Sequence, residues 1–363
     1  MAQTVIFVVQ GEGRGHLSQA LAMKSIMSNL HLSIVKVFVG RSSQRLLPEY
    51  FVKEFDGLIE EFESPNFLID EKGKGIKVAK SLWLSFINLP KYISYSIRMA
   101  GKVNDFNADL VINFYEPLLG LSQFFKKINA PIVSLAHQFF SLHPKFEMPP
   151  KPNFDKNGLK VLSYITGKGS NTLLALSFYK FENYGKRNLK VVPPLLRPAL
   201  FQLSSADDGY FLIYLLNKGY AQEIIEWQKL NPNTRLEIFW DDFSKPKRWS
   251  PQENIGFNHL DANLFLEKMS KCTALISTSG FESVSEALLL NKKVGLVPVK
   301  GHYEQKLNSY DALKTGMAVR NDEFDIGALI NEIKKMPEIK PSNDWIISGN
   351  IMIEEILVQV LNK

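Results

Sequence analysis

The sequence predicts an α/β protein built from two doubly wound parallel-sheet domains. The chain has 363 residues, a length that fits two domains at roughly 100–200 residues per domain. Short β-branched runs alternate with segments of helical apolar spacing along most of the chain, and this alternation is typical of a parallel sheet with crossover helices. It stops at a proline-containing stretch and then starts again, so one α/β unit is expected to follow another.

The first half shows the alternation from its beginning. Predicted strands lie at residues 4–9, 33–39, 109–114, 131–135 and 189–192. Segments with helical apolar spacing follow most of them, as at residues 17–30 and 118–127. The stretch at residues 187–198 contains three prolines, which cannot continue a helix or a central strand. This stretch is the predicted linker.

The second half repeats the pattern. Predicted strands lie at residues 210–216, 235–239, 274–277, 294–297 and 317–320, and predicted helices at 221–230, 263–271, 282–290 and 304–314. We therefore expect an N-terminal domain at residues 1–195, a C-terminal domain at 196–342, and a final helix within 343–363 that packs back on the N-terminal domain. Ligands of such sheets bind at the carboxyl ends of the strands, which predicts a site in a cleft between two facing domains.

Composition excludes several classes of protein. The single cysteine, Cys272, rules out an internal disulfide framework and any Cys-rich metal site, and it fits a reducing compartment. No segment has the length and apolarity of a membrane span, and the N-terminus lacks the features of a signal peptide. These features predict a cytoplasmic protein. The net charge of +6 fits either a solvated surface or contact with anionic lipid or a phosphorylated ligand.

Residues 76–100 depart from the alternation, since they are apolar and aromatic with interspersed lysines. We expect this segment to be helical up to Pro90. It fits two interpretations, a helix packed on its own domain or a surface that meets lipid or a lipid-linked substrate.

A glycine-rich loop follows the first predicted strand and contains Gly11, Gly13 and Gly15 before His16. Glycines at such a turn allow a ligand to approach the backbone closely. A dinucleotide fingerprint requires glycine where His16 stands, which disfavours a nicotinamide-dependent dehydrogenase. His16 opens a predicted helix, whose dipole favours the neutral imidazole. It is either a general base or a residue that only caps or packs the helix.

A second motif follows the strand at residues 274–277. Small residues and backbone N–H groups from Thr278 through Ser283 meet at a helix start, an arrangement suited to a diphosphate. Glu286 follows inside that helix, where its carboxylate could accept hydrogen bonds from a ribose. Glu304 and Gln305 follow the next strand and could contact sugar hydroxyl groups.

Together these motifs resemble the donor site of glycosyltransferases of the GT-B fold, which has two Rossmann-like domains facing across a cleft. The similarity is strongest to the bacterial lipid II-forming N-acetylglucosaminyltransferase and to UDP-glucuronosyl and UDP-glucosyl transferases. These proteins share a glycine-rich loop ending in histidine, a Ser-Gly pair followed by Ser or Thr and then Glu, and an acidic residue followed by Gln. Gly280, Ser283 and Glu286 have that spacing.

The resemblance implies a role for each matching residue. His16 would be the catalytic base and Glu286 would bind the ribose. The other implied donor-binding residues are Gly13, Gly15, Thr278, Ser279, Gly280, Ser283, Glu304 and Gln305. His137 and Gln138 resemble an acceptor-side segment of the lipid II-forming enzyme, although a purely structural role is an open alternative.

The chain departs from the family pattern at three places. Its loop at residues 217–219 lacks the Gly-Gly/Ser-rich form that is common in the family. Thr278 and Glu282 replace a histidine and an asparagine of the plant transferases. Residues 256–261 contain no tryptophan that could stack on uracil. The nucleobase is therefore expected from the resemblance alone.

The resemblance implies transfer of a sugar from a UDP-sugar to an acceptor hydroxyl, with inversion and without a metal or other cofactor. The chain has no Asp-x-Asp triplet, which disfavours a metal-clamping transferase. A sugar-nucleotide 2-epimerase and a non-catalytic sugar-nucleotide- or glycan-binding module are the alternatives. The expected partners are a nucleotide-sugar donor and an unknown, lipid-linked or membrane-proximal acceptor, with no nucleic acid. This suggests work on a cell-envelope glycan, with peripheral contact at the inner face of the membrane.

Overall fold

A computed structural model describes residues 3–42, 46–65, 87–150, 153–215, 218–338 and 344–362. The described chain divides into two compact units. The first contains residues 3–65, 87–198 and 348–362, and the second contains residues 199–347 except those outside the described ranges. The division therefore falls after Pro198, at the end of the proline-containing stretch.

The described part of the first unit is built on a seven-stranded sheet in the order β3-β2-β1-β4-β5-β6-β7, and every neighbouring pair in it is parallel. The strands are β1 (Thr4–Gln10), β2 (Ser33–Arg41), β3 (Ile59–Glu63), β4 (Leu110–Phe114), β5 (Ile132–Ala136), β6 (Thr172–Leu176) and β7 (Leu189–Val192). The helices of this unit are α1 (Arg14–Asn29), α2 (Glu49–Glu54), α3 (Leu89–Asp105), α4 (Pro117–Ser122), α5 (Asn153–Thr166) and, at the end of the chain, α12 (Gly349–Leu361).

The second unit has a seven-stranded sheet of its own, in the order β10-β11-β9-β8-β12-β13-β14 over the described residues. Its strands are β8 (Tyr210–Tyr214), β9 (Arg235–Trp240), β10 (Arg248–Gln252), β11 (Ile255–His259), β12 (Ala274–Ser277), β13 (Lys293–Leu296) and β14 (Ala318–Arg320). The β10–β11 pair is antiparallel and the others are parallel. The helices are α6 (Ala221–Leu230), α7 (Ala262–Lys271), α8 (Phe281–Leu289), α9 (Tyr303–Leu313), α10 (Ile326–Lys335) and α11 (Asp344–Ile347).

Burial explains why the central strands consist of unbroken apolar runs. All five residues from Val5 to Val9 in β1 are inaccessible to solvent, as expected for a parallel strand covered on both faces. Apolar side chains of α3 and α4, among them Met99, Val103 and Leu118, pack with Ile6 and Val8 in one cluster. Burial of these groups is the main favourable term in folding of the unit.

Two features predicted from the sequence are wrong in detail. Pro90 does not end a helix; it lies in the first turn of α3, where its fixed φ is favourable and its missing N–H costs nothing. The part of the 76–100 segment before residue 87 lies outside the described residues. The helix predicted at residues 118–127 ends at Ser122, because the following residues form turns whose N–H groups bond back to Gly120, Leu121 and Ser122.

The last helix belongs to the first unit. Asn350 of α12 exchanges two hydrogen bonds with the backbone of Leu196, and Gly349 lies so close to the Pro194 carbonyl that a Cβ would stand 2.5 Å from its oxygen. Farther along, Glu354 accepts a hydrogen bond from Asn29 of α1. The end of the chain is thereby fixed to the segment that leaves β7. In the described residues, no helix has both the length and the apolarity needed to cross a membrane.

We predict opposite effects for two helical Gly→Ala substitutions in the first unit. A Cβ on Gly120 of α4 would lie 2.0 Å from the Ile165 carbonyl oxygen, whereas one on Gly158 of α5 would meet no atom within 4 Å. Gly120→Ala should therefore push α4 from α5 and lower the free energy of unfolding by about 1–3 kcal/mol. Gly158→Ala should raise it by roughly 0.5–1 kcal/mol, because alanine favours the helix.

Urea unfolding followed by circular dichroism tests both variants against the unmodified chain. Equal midpoints for the two variants would show that the close approach of α4 and α5 does not depend on Gly120.

Candidate functional site

The carboxyl ends of parallel strands place several candidate residues at one edge of the first sheet. After β1, the chain passes through the glycine-rich loop into α1, and Gly13 is the N-cap residue of that helix. A Cβ on Gly13 would meet no atom of the described residues within 4 Å, and its φ of −108° is accessible to any residue. Neither contacts with the described residues nor backbone geometry therefore explains glycine at this position, whereas close approach of a ligand would.

His16 lies in the first turn of α1 and is buried. Its Nδ1 is 3.1 Å from the side-chain oxygen of Gln19, three residues later on the same helix. Because an amide oxygen only accepts hydrogen bonds, Nδ1 is the donor in this arrangement. The interaction therefore favours the tautomer of a neutral ring that a general base needs.

Tyr115 supports the His16 ring from the end of β4. The two rings stack with centroids 5.7 Å apart and planes at 22°, and the Tyr115 hydroxyl is 2.8 Å from Ser163 Oγ in α5. Tyr115 has a φ of +58°, a left-handed conformation that is uncommon and strained for a bulky residue. The contacts to His16 and Ser163 hold it there.

Glu116 is a fully buried carboxyl group that the sequence reading did not select. It caps α4 by accepting a hydrogen bond from the Leu118 N–H (3.0 Å), and the same oxygen, Oε1, accepts one from Ser64 (2.8 Å). Oε2 has no hydrogen-bond partner among the described residues, and it lies against Gly40, where a Cβ would stand 2.1 Å away.

Burial raises the pKa of Glu116 to about 8. The hydrogen bonds from Leu118 and Ser64 oppose this shift, and the negative charge of Glu12 adds to it. Glu116 is therefore protonated at neutral pH.

His137 and Gln138 follow β5 at the same edge, and both are buried. His137 Nδ1 donates to the Leu176 carbonyl at the end of β6 over 2.7 Å, and its ring packs against Phe140 and Phe178. These contacts hold the His137 ring in place at this edge of the sheet.

In the second unit, the candidate donor residues surround the start of α8. Ser279 has a φ of +65° and is fully buried, and Gly280 is the N-cap residue of this nine-residue helix. Asn308 of α9 donates from Nδ2 to the Ser279 carbonyl over 3.0 Å. Among the described residues, three buried oxygens here lack hydrogen-bond partners: Thr278 Oγ1, Ser279 Oγ and Asn308 Oδ1. Such groups cost free energy unless a ligand or water satisfies them.

Gly280 resembles Gly13 in leaving open space. A Cβ there would approach only the Ser283 hydroxyl, at an ordinary 3.5 Å, and the φ of −66° suits any residue. Ser283 donates to the Gly280 carbonyl over 3.2 Å, and Glu286 is buried one turn farther along α8. The structure thus brings Thr278, Ser279, Gly280 and Ser283 together at one helix start.

Glu304 and Gln305 lie in the first turn of α9. Gln305 is buried, and its side-chain oxygen accepts a hydrogen bond from the Val299 N–H over 2.8 Å. His302 caps the helix by accepting from the Gln305 N–H, and burial lowers the pKa of His302. Gln305 therefore holds the loop that precedes α9, which leaves its amide NH₂ group for a ligand.

Sequence reasoning missed Gln19, Tyr115 and Glu116. The first had a usable signal, because a residue three positions after His16 lies on the same helical face. Glu116 stands between a strand and Pro117, a position typical of a helix N-cap. No sequence signal indicated Tyr115, because its left-handed backbone conformation is disfavoured for its residue type.

Residues 3–337 match the model of the family described as Glycosyl transferase family 1. No curated protein matches the chain.

Solved structures share the fold at low sequence identity. The glycotransferase of kitacinnamycin has a TM-score of 0.65 at 12% identity, with 99% of each chain covered. LpCGTa in complex with UDP has a TM-score of 0.62 at 14% identity, with 100% of each chain covered. UGT89C1 of Arabidopsis thaliana, complexed with UDP-L-rhamnose, has a TM-score of 0.56 at 12% identity, over 99% of this chain and 94% of that one. These structures confirm the predicted GT-B fold.

We predict that Glu116→Gln stabilises the chain near neutral pH. The folded chain keeps the Glu116 proton up to a pH of about 8, whereas an unfolded chain releases it near the ordinary pKa of 4.5. Folding at pH 7 therefore includes a protonation cost, and stability falls as the pH rises from about 4.5 to 8. Glutamine keeps the oxygen that caps α4 without this cost, for a gain of up to roughly 3 kcal/mol at pH 7.

Thermal unfolding at about pH 5 and about pH 7 measures the effect, and the gain should be smaller at the lower pH. Glu63→Gln is the matched control, because Glu63 is half exposed and paired with Lys91. A loss of stability in Glu116→Gln at both pH values would mean that the folded chain requires the ionised carboxylate.

Proposed function

Because this chain belongs to glycosyl transferase family 1, we propose that it transfers a sugar from a nucleoside-diphosphate sugar to an acceptor hydroxyl group. The chain is a glycosyltransferase, and the donor, acceptor and stereochemistry constitute the proposal. UDP is the proposed carrier because two of the solved structures with this fold contain UDP or a UDP-sugar. The proposed reaction inverts the anomeric carbon, as the family resemblance implies.

The main support for this proposal is the arrangement of residues at the start of α8. Thr278 and Ser279 place two buried hydroxyl groups there that have no hydrogen-bond partner within the described ranges, and Gly280 leaves the space that a side chain would fill. Hydroxyl groups can donate to phosphate oxygens, and the positive end of the α8 dipole favours negative charge. We assign this cradle, with Ser283, to the diphosphate of the donor.

The remaining donor contacts follow from the positions of the other candidates. Glu286 is the proposed partner of the ribose hydroxyls. Glu304 and the amide NH₂ group of Gln305 are proposed to bind the sugar. Asn308 positions the Ser279 backbone through its hydrogen bond to the carbonyl, and its own Oδ1 can accept a hydrogen bond from the donor.

His16 is the proposed general base. Its Nε2 accepts the proton of the acceptor hydroxyl as the oxygen forms a bond to the anomeric carbon, and the bond from that carbon to the diphosphate oxygen breaks. Gln19 keeps the proton on Nδ1, and the diphosphate leaves with the bonding electron pair, stabilised at α8. Gly13 and Gly15 are proposed to leave room for a ligand beside His16.

No metal or other cofactor is part of the proposed mechanism, since hydroxyl groups and a helix dipole would balance the charge of the leaving group. His137 and Gln138 are proposed acceptor-side residues, because they follow β5 at the sheet edge that carries His16. We propose a cytoplasmic location and an acceptor in a cell-envelope glycan, lipid-linked or membrane-proximal.

The function is tested by UDP release from a panel of UDP-sugars, with and without acceptor alcohols. His16→Ala should lower kcat by about 10²–10⁴-fold, because it removes the base. Gln19→Leu should lower kcat less and leave the donor KM unchanged. It removes only the acceptor that favours the proton on Nδ1 of His16. Full activity of His16→Ala with a good donor would disprove the base assignment, and conversion of the sugar without an acceptor would indicate an epimerase.

Gly280→Ala tests the diphosphate cradle. The new methyl group meets no protein atom closer than 3.5 Å, so the unfolding midpoint should stay unchanged, whereas UDP affinity should fall at least about tenfold because the methyl group occupies the ligand space. Isothermal titration with UDP gives the affinity. Gly158→Ala, a helical substitution in the first unit outside the proposed site, is the matched control and should bind UDP normally. Unchanged UDP affinity in Gly280→Ala would place the diphosphate elsewhere.

A further inference from the structure

A basic and aromatic surface lies at the amino edge of the first sheet. We call it the Phe124 surface, and its central residues are Phe124, Phe125, Lys126, Lys127, Tyr164 and Lys168. The first four follow α4 and lead into the start of β5, and Lys168 leads from α5 into β6. Because all strands of this sheet are parallel, the surface lies at the opposite edge from His16, which follows the carboxyl end of β1.

Phe124 and Phe125 are exposed on an ordered loop. Their side chains are 49% and 55% exposed, although the loop backbone is well bonded. Lys126 N donates to the Ser122 carbonyl over 2.7 Å, and Asn104 of α3 donates to the Lys127 carbonyl over 2.9 Å. The fold thus holds two adjacent phenyl rings in water. Adjacent exposed apolar groups of this kind are typical of an interaction surface.

Positive charge follows one face of α5 and reaches these rings at Lys168. Lys156, Lys160, Tyr164 and Lys168 recur at four-residue intervals along and just beyond α5, so they share one face. Among the described residues, none of these lysines, nor Lys126 or Lys127, forms an ion pair with a carboxylate. Burial and the charge of Lys156 lower the pKa of Lys160. Asp155 is the one acidic residue in the α5 sequence, at its first turn.

The cations and the rings form one mixed surface. Lys168 Nζ lies 5.4 Å from the centroid of the Phe124 ring, and the Arg187 guanidinium lies 5.2 Å from that of Tyr164. Each charged group therefore stands beside an aromatic ring. This alternation suits the interface of a bilayer, where rings enter the acyl boundary and cations meet lipid phosphates.

We propose that the Phe124 surface binds an anionic membrane. The lysines complement acidic lipid headgroups, and the two exposed phenyl rings can enter the acyl boundary beside them. An anionic bilayer is therefore favoured over a polyanion that offers charge alone. None of these residues belongs to the assigned site.

Co-sedimentation of the full chain with vesicles tests the proposal. Binding is expected to vesicles of phosphatidylcholine and phosphatidylglycerol at low salt, and not to phosphatidylcholine alone. Lys126→Glu with Lys127→Glu should reduce binding at least about tenfold, and so should Phe124→Ser with Phe125→Ser. Added salt should release the protein.

A matched control changes Lys229→Glu and Leu230→Ser, because Leu230 is an 83% exposed apolar residue beside a lysine in the second unit. This variant should bind vesicles normally, and unfolding midpoints of all variants should match. The proposal is overturned if the anionic vesicles are not bound, or if the control loses as much binding as the surface variants. It is also overturned if the phenylalanine variant binds fully, since attraction to any polyanion would then explain the binding.

Phe125→Trp provides a second measurement that does not depend on loss of binding. Its added fluorescence, relative to the unmodified chain, should shift to shorter wavelength with anionic vesicles as the indole leaves water. An unchanged spectrum in the presence of bound vesicles would exclude insertion at this surface.

Discussion

The parallel pairing of β1 with both β2 and β4 is the constraint on which the first unit depends. It requires crossover connections on both faces, which is why Val5–Val9 are fully buried and why the runs are apolar. It also brings the carboxyl ends of all three strands to one edge. His16, Gly40 and Glu116 are far apart in the sequence. The parallel pairing of the strands places all three at the same edge of the sheet.

The residues at the strand ends are arranged differently in the two units. In the first, the hydrogen bond between His16 and Gln19 favours one ring tautomer, and a strained Tyr115 supports the ring. In the second, buried oxygens around Ser279 have no hydrogen-bond partner in the part of the chain that the structure describes, a free-energy cost that binding of a ligand would offset. Base catalysis needs an orientation fixed in advance, whereas anion binding needs donors with no competing protein partner.

The sequence was sufficient for the fold class and for the grouping of Thr278 through Ser283, because both follow from local patterns. It was insufficient for β3, β6 and the β10–β11 pair. Three glutamates in β3 and a proline in β10 obscure the apolar pattern expected of a strand, and both are edge strands. The leucine-rich sequence of β6 is equally compatible with a helix. Glu116 and Tyr115 escaped detection for a different reason, because their environments depend on tertiary contacts. Their partners Ser64 and Ser163 lie 52 and 48 positions away in the sequence.

The approach of Gly40 to Glu116 makes substitutions in this part of the chain interdependent. With Oε2 only 2.1 Å from the place of a Cβ, a side chain at position 40 would displace the Glu116 carboxyl group. That displacement would separate Oε1 from the Ser64 hydroxyl and the Leu118 N–H. Substitutions at positions 40, 64 and 116 are therefore expected to change the free energy of unfolding non-additively.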